Sequence, residues 1–533
     1  PTVVPAIEQL DPLTGLARAG PPTLVLPGPA SYGITDLLAA GAALPIAEGG
    51  FLLVDSVLVA PGATLKLGGT DVPRLLMNSS TEGFTSLVTW GGTLILIGAD
   101  ITAPLEIVGW DHATGQPAAD RGYGRPYIRA VGGRMELAYV RASNLGFWSG
   151  RTGGVAWTGI SGKPSTGSAV FSRFIGNTYG TFASRASYLV FTDDLFEGNE
   201  LDGLRLHRNA IESTVANSTS ARNGGNGFVV SRGATGNVIR GALAVNNRGN
   251  GFLVNGLPLV SGASPSGGQA AASIGTIVQD SDAEGNGRTG ILIEGGAGTI
   301  IRRNIVCGTV TGIAVRAGAS DTMLVGNEVR CGGRVAMSIG PSVVGTTVAG
   351  NTLNAARIGL LIRNSPGVRI MNNHITNVSV FGISVRGVSP GVVGNDNIIA
   401  GRGFQPIDTR GGAASPTITT TDLSGWQHRS SLSMVESLRY HPLLVTWLAV
   451  AVFVVVSSVL IRFRRRPARP YYYTVPWRPT APPTNGHAHP TEPAASIAAT
   501  VLVATNSSKP KRRRKQAPQP AALVDAKSHE VSA

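Results

Sequence analysis

Between residues 180 and 386 the chain repeats one pattern: a glycine, then hydrophobic-x-hydrophobic, then a polar residue. The repeat glycines are Gly180, Gly203, Gly227, Gly251, Gly290, Gly312, Gly359 and Gly382, with Ala336 filling one slot, and all but one of the intervals are nearly equal. The exception, Gly251 to Gly290, is one repeat plus an insertion, which places a surface loop over about 256–275, in the Ser/Gly/Ala-rich stretch Ser261–Ser273. After the glycines, Leu204 and Leu206, Phe228 and Val230, Ile291 and Ile293, and Ile383 and Val385 alternate with polar or small neighbours, as the inward face of a strand of period two requires. Asn304, Asn327, Asn351 and Asn373 recur once per repeat in a second register, which predicts a stacked asparagine ladder. Short strands, one glycine turn and one asparagine per coil predict an all-β fold, a right-handed single-stranded parallel β-helix of about 23 residues per coil. Leucine-rich repeats share that length, but their fixed leucine pattern is missing.

The expected organisation is an extended leader over 1–30, an extracytoplasmic β-helix over 31–430, a transmembrane helix over 442–461 and a disordered, basic, Pro/Ala-rich cytoplasmic tail over 462–533. The stretch from Pro442 to Ile461 carries no charge and is long enough to cross a bilayer as a helix. Arg462, Arg464, Arg465, Arg466 and Arg469 follow it, whereas Arg429 and Arg439 precede it, so the positive-inside rule puts the C-terminus in the cytoplasm. Pro1 with no basic-then-apolar leader fits a signal peptide already removed.

Composition adds 71 glycines and only 14% charged residues, which suits a solenoid of short strands and turns more than a helical bundle. The formal charge of +14 suggests nucleic acid until it is located. From Arg462 onward 13 Lys/Arg face 3 Asp/Glu, a net of +10 that leaves +4 for the rest, so no nucleic-acid role is expected for the β-helix. Cys307 and Cys331 are one coil apart, so they stack at the same turn either as a disulfide or as two thiols. No His/Cys cluster has metal-ligand spacing, and neither a phosphate loop nor a nucleophile elbow is present, so no metal or cofactor is expected. The oligomeric state is left open.

Candidate chemistry lies four residues after each repeat glycine, in a row of Ser184, His207, Ser231, Asn255, Glu294, Arg316, Arg363 and Arg386. One position on, three consecutive coils carry Arg185, Arg208 and Arg232. Such a stripe suits an extended polyanion, because a guanidinium holds a carboxylate by two parallel hydrogen bonds. It is also what the polar outer face of any solenoid can look like.

From Phe51 to Gly256 the chain carries Pro61-Gly-Ala-Thr-Leu, Gly91-Gly-Thr-Leu, Gly109-Trp-Asp, Arg125-Pro-Tyr, Asn144-Leu-Gly-Phe, Asn199 through Gly203 and Gly227-Phe-Val-Val-Ser-Arg232. In this order and spacing the stretch resembles the β-helical mannuronan C5-epimerases that modify alginate. The resemblance implies that His207 is the catalytic base and that Arg232, closing Val230-Ser231-Arg232, neutralises the substrate carboxylate. It further implies an acidic polysaccharide as partner, with Arg185, Arg205, Arg208, Ser231 and Asn255 as substrate-binding residues. The family's Asp-Pro-His-Asp is here Arg205-Leu206-His207-Arg208, so histidine is kept while both acids and the proline are lost. The chemistry needs the retained pair together. Removing a C5 proton α to a carboxylate creates an enediolate whose added charge a guanidinium can balance, while a neutral histidine accepts the proton. Reprotonation from the other face is epimerisation, and loss of the 4-linked sugar is β-elimination. A non-catalytic glycan-binding or structural surface protein is the alternative, and one that welcomes the added arginines.

Overall fold

The computed structural model describes residues 1–4, 8–10, 17–47, 49–80, 83–119, 124–147, 149–257, 273–330, 333–409, 416–429 and 442–464. It divides into two units, Pro1–Pro442 and Leu443–Ala533.

The first unit is a parallel β-helix. Each turn of chain lays one short strand on each of three faces, as Leu204–His207, Thr214–Ala216 and Thr219–Ala221 do in the central coil, and the next coil begins with Phe228–Ser231. The expected inward residues Leu204, Leu206, Phe228, Val230, Ile291, Ile293, Ile383 and Val385 are all buried. They belong to one continuous core, in which Phe174 stacks on Phe196 and Phe228 on Phe252, each pair with ring centroids 5.3 Å apart.

The glycine row has a steric cause. A Cβ added at Gly227 would lie 2.6 Å from the carbonyl oxygen of Gly251, and one at Gly251 would lie 2.7 Å from that of Gly290. Successive coils approach so closely at this point that a side chain is excluded by the neighbouring backbone.

The asparagine ladder forms and extends to Asn397. Each Oδ1 accepts the backbone N–H of the asparagine one coil earlier, at 2.9 to 3.1 Å. A second ladder, unexpected from the sequence, runs through Asn177, Asn199, Asn223, Asn247 and Asn286 with the same bonding. A third runs the opposite way: the N–H of Asn226 donates to Asp202 Oδ1 at 2.8 Å and that of Asn250 to Asn226 Oδ1 at 2.9 Å. These side chains supply partners for buried turn amides that the strands leave unpaired.

The coils before Gly180 stay in register although their repeat is blurred in sequence. Leu24, Val57, Leu87, Ile128, Val155, Thr181 and Leu204 stack in one column, even though the chain between successive members varies in length and is longest between Leu87 and Ile128. Excursions lengthen these coils while the strands keep their pairing. The stack also begins earlier than the expected boundary at 31, because Thr23–Leu26 already pairs in parallel with Ser56–Val59. A short helix, Ile34–Ala39, then places Leu37 in the core. The last coil ends at Trp426–His428, close to the expected limit of 430.

The strands around the expected insertion remain paired, Phe252 with Ile291 and Val238 with Ile277, so the added residues leave the stack undisturbed. Residues 258–272 lie outside the described residues. Cys307 is disulfide-bonded; Cys331 lies outside the described residues.

In the second unit Pro442–Arg464 forms a helix of 23 residues. Among the described residues no helix is long and apolar enough to cross a membrane. The tail from 465 onward lies outside the described residues.

Asn223→Ala should strip the acceptor from the buried N–H and Nδ2 of Asn199 and remove one of the two donors to Asn247 Oδ1. We expect a loss of about 1–3 kcal/mol for the unsatisfied groups, read as a lower urea midpoint. Asn354→Ala, at the strand-borne member of an exposed asparagine pair, should change stability by no more than about 0.5 kcal/mol.

Candidate active site

Parallel pairing sorts the outer residues of one face into columns. One column runs Thr158, Ser184, His207, Ser231, Asn255, Glu294 and Arg316, as the row read from sequence requires. Two residues earlier on each strand, a second column runs Arg129, Ala156, Phe182, Arg205 and Val229. At the strand ends a third column holds Gly132, Gly159, Arg185, Arg208 and Arg232; the N–H groups of Gly132, Gly159, Arg185 and Arg232 donate to carbonyls of the coil that follows, and Arg208 O accepts from Arg185.

The third column is a place for glycine. Gly132 has φ +55° and Gly295, further along, φ +64°, in the left-handed region. Arg185, Arg208 and Arg232 adopt φ 50°, 35° and 57°. A side chain there costs roughly 1–2 kcal/mol against the right-handed alternative, and three successive coils bear it. The same left-handed conformation recurs at other turns of the stack, as at Ala317 (φ 59°) and Arg303 (φ 54°), so it belongs to the turn, and what sets these three positions apart is the arginine side chains.

A loop completes the site. The turn Gly150–Thr152 lies flat on two rings: a Cβ at Gly150 would be 2.2 Å from Phe182 Cε2, and one at Gly153 would be 2.6 Å from Tyr179 Cδ2. Glycine at both positions lets the loop close down, and Thr152 Oγ1 pins it by donating to Phe147 O at 2.8 Å. Arg151, at the tip, is thereby brought among the charges that act on His207.

His207 is half-buried, with Nδ1 at 2.9 Å from Ser231 Oγ and the Phe182 ring centroid 5.6 Å from its own. Its pKa is pulled down from 6.5 to about 3, first by burial and then by Arg205, Arg208, Arg232 and Arg151. The imidazole is therefore neutral at any ordinary pH. Arg205 is held by buried Asp202, with Nη2 to Oδ2 at 2.7 Å, and lies 5.7 Å over the ring of Tyr179. Burial pushes the Tyr179 hydroxyl above its ordinary value, which keeps it protonated.

The other arginines of the cluster lack such an answer. Among the described residues no carboxylate lies within ion-pair distance of Arg129, Arg151, Arg185, Arg208 or Arg232; Arg129 Nε donates instead to Thr158 Oγ1 at 2.7 Å. The Nε groups of Arg205 and Arg208 are buried without a hydrogen-bond partner. Burial, then Arg151, Arg185 and Arg232, lowers the pKa of Arg208. Some outward arginines further along are answered, Arg316 by Glu294 at 2.5 Å, Arg386 by Asp408 at 3.1 Å and Arg303 by Asp280 at 2.6 Å, while others such as Arg363 stand without a carboxylate among the described residues; what sets the site apart is that its arginines lie together.

The structure thus gathers His207, Ser231, Arg185, Arg205, Arg208 and Arg232. Asn255 is in the same column but is occupied elsewhere, its Nδ2 donating to Glu294 Oε2 at 3.3 Å and its Oδ1 accepting from Leu257 N. Sequence reasoning missed Asp202, Tyr179, Phe182, Arg129 and Arg151. Asp202 stands just before a repeat glycine, at the offset repeated by Asn226 and Asn250, and that third periodicity could have drawn attention to it. Arg151 sits in a non-repeating excursion that no spacing marks.

The family model described as right handed beta helix region matches residues 156–258 and 266–423. A crystal structure of the periplasmic alginate epimerase AlgG is similar over 75% of this chain and 85% of its own, with TM-score 0.51 and 14% identity. A single-substitution mutant of AlgG matches over the same shares with TM-score 0.53 and 14% identity. The chain is a right-handed parallel β-helix protein. Its likeness to AlgG is one of fold, and no curated protein matches it significantly by sequence. For this β-helix protein the local electrostatics must therefore be argued from its own residues.

His207 should titrate near 3 by NMR, and Arg232→Gln should move the midpoint upward by removing one of the depressing charges; a wild-type midpoint near 6.5 would contradict the geometry. Because the folded value lies below the unfolded one, the unfolded chain takes up this proton first as pH falls. Stability should therefore drop between about pH 6.5 and 3, and His207→Gln should flatten that part of the profile.

Proposed function

We propose that this protein acts on an acidic polysaccharide, by proton abstraction at C5 of a uronate with His207 as base and Arg232 as the carboxylate clamp. The observation that carries the reading is a neutral, hydrogen-bonded imidazole set among four arginines, of which Arg205 alone has an acidic partner among the described residues. For Nε2 to take the proton, Nδ1–H must donate to Ser231 Oγ, the tautomer that makes Ser231 a positioning residue. The electron pair left by the C5–H bond moves into the carboxylate, and the resulting enediolate is stabilised by Arg232. Proton return from the opposite face completes epimerisation, and expulsion of the 4-linked oxygen completes elimination.

A base with so low a pKa is weak in the empty site. Substrate anions offset the arginine charges, so this part of the depression is relieved on binding, while the larger part due to burial persists. The base thus gains strength when substrate is in place. Arg205 and Arg208, where the resembling family has acids, are compatible with this role because Asp202 answers the first. A non-catalytic glycan binder is the second reading, favoured by the loss of both acids next to His207.

The same reading includes tethering by residues 442–461, with the β-helix outside the cell membrane and the C-terminus in the cytoplasm. The uncharged run and the arginines after it support this, and the segment is helical. No cofactor is assigned.

Full-length protein incubated with polyuronates in deuterated water should place deuterium at C5, with inversion for an epimerase or new unsaturated ends for a lyase. His207→Gln should lower that exchange by about 10²-fold or more while polymer is still bound; exchange unchanged in the variant would remove His207 from the mechanism. Binding without exchange would favour the non-catalytic reading. Separately, the protein should stay with the membrane pellet through alkaline carbonate extraction, and release into the supernatant would exclude an integral tether.

A further inference from the structure

The charge of the site exceeds what a simple polyuronate brings. Arg129, Arg151, Arg185, Arg205, Arg208 and Arg232 meet one carboxylate, Asp202, and His207 is uncharged. A single substrate carboxylate occupies one guanidinium through a two-pronged contact, and Arg232 fills that role in the reading above. Arg151, Arg185 and Arg208 are then left together, with the buried Nε of Arg208 still without a partner. Further carboxylates along the polymer do not supply the balance well. Successive carboxylates of an extended 1,4-linked uronan turn to opposite edges, so one edge meets every second sugar, whereas Arg185, Arg208 and Arg232 come from consecutive coils about 4.8 Å apart.

These three leftover groups also approach from different directions. Arg185 and Arg208 stand at the ends of adjacent strands, in the backbone conformation that costs them strain, and Arg151 comes from the loop laid on Phe182 and Tyr179. A planar carboxylate offers two oxygens in one plane. A sulfate or phosphate ester offers three acceptor oxygens on a tetrahedron, one for each guanidinium.

We propose that the ligand of this groove carries a second anionic group on its sugars, a tetrahedral sulfate or phosphate ester, seated by Arg151, Arg185 and Arg208 beside the carboxylate held by Arg232. This inference rests on the reading that the groove holds an acidic polysaccharide, and it names the substrate class.

The test is equilibrium binding of the full-length protein, at one fixed ionic strength, to a single polyuronate backbone in unsubstituted, sulfated and phosphorylated forms. One ester form should bind at least about tenfold tighter than the unsubstituted backbone, and which of the two does so identifies the ester. Arg208→Gln and, independently, Arg151→Gln in the surface loop should remove most of that ratio, while Arg369→Gln, on a different face of the stack, should leave it intact. Equal affinity for all three forms, or an advantage that survives both site variants or is lost equally in Arg369→Gln, would overturn the inference. If the unsubstituted backbone binds and exchanges at C5 with no gain from either ester, the inference fails and the reading of the site stands. If no uronan binds while a single-stranded oligonucleotide does, both fail.

Discussion

Everything distinctive about this molecule depends on the parallel backbone pairing between one coil and the next. Each strand bonds only to its counterparts one turn earlier and one turn later, at a spacing of about 4.8 Å. That constraint converts a period along the chain into a column in space. It makes the glycine row necessary, since the Gly227 and Gly251 backbones meet neighbouring carbonyls where no Cβ fits. It also turns Asn199, Asn223 and Asn247 into a ladder, each oxygen serving the amide next to it. The site is a product of the same rule, because His207 meets Ser231 only through the pairing of their two strands.

This dependence explains which parts could be read from the sequence. The inward positions, the Asn304 to Asn373 ladder and the row through His207 were legible because each is a strict repeat, and repeats are what pairing preserves. The coils before Gly180 were not legible as coils. Their excursions lengthen the interval by unequal amounts while leaving Leu24, Val57, Leu87 and Ile128 stacked. For the same reason Arg151 was invisible: it reaches the site from an excursion, by the packing of Gly150 on Phe182. Asn255 stands where its spacing puts it, but its amide bond to Glu294 was not legible, because a column position says nothing about who satisfies the side chain.

The electrostatics of the site follow from the layering as well. Stacked arginines repel, and the coil spacing keeps them close whatever they carry. Elsewhere on the helix a close arginine can be answered locally, as Glu294 answers Arg316 and Asp280 answers Arg303. Around His207 it is answered once, by Asp202. An unanswered cluster raises the energy of the empty protein and lowers it again when anions arrive, so the same charges supply both affinity and the change in the basicity of His207.

The three arginines in the left-handed strand ends have a further consequence for how such a site is kept over time. Glycine at any of these positions would relieve both backbone strain and like-charge repulsion, without touching the core. Drift toward a more stable chain would therefore erase the cluster one codon at a time, leaving the β-helix folded and empty of purpose. On the reading proposed above, glycine at any one of the three would leave the fold intact and remove part of the groove's charge, so the fold can outlast the site.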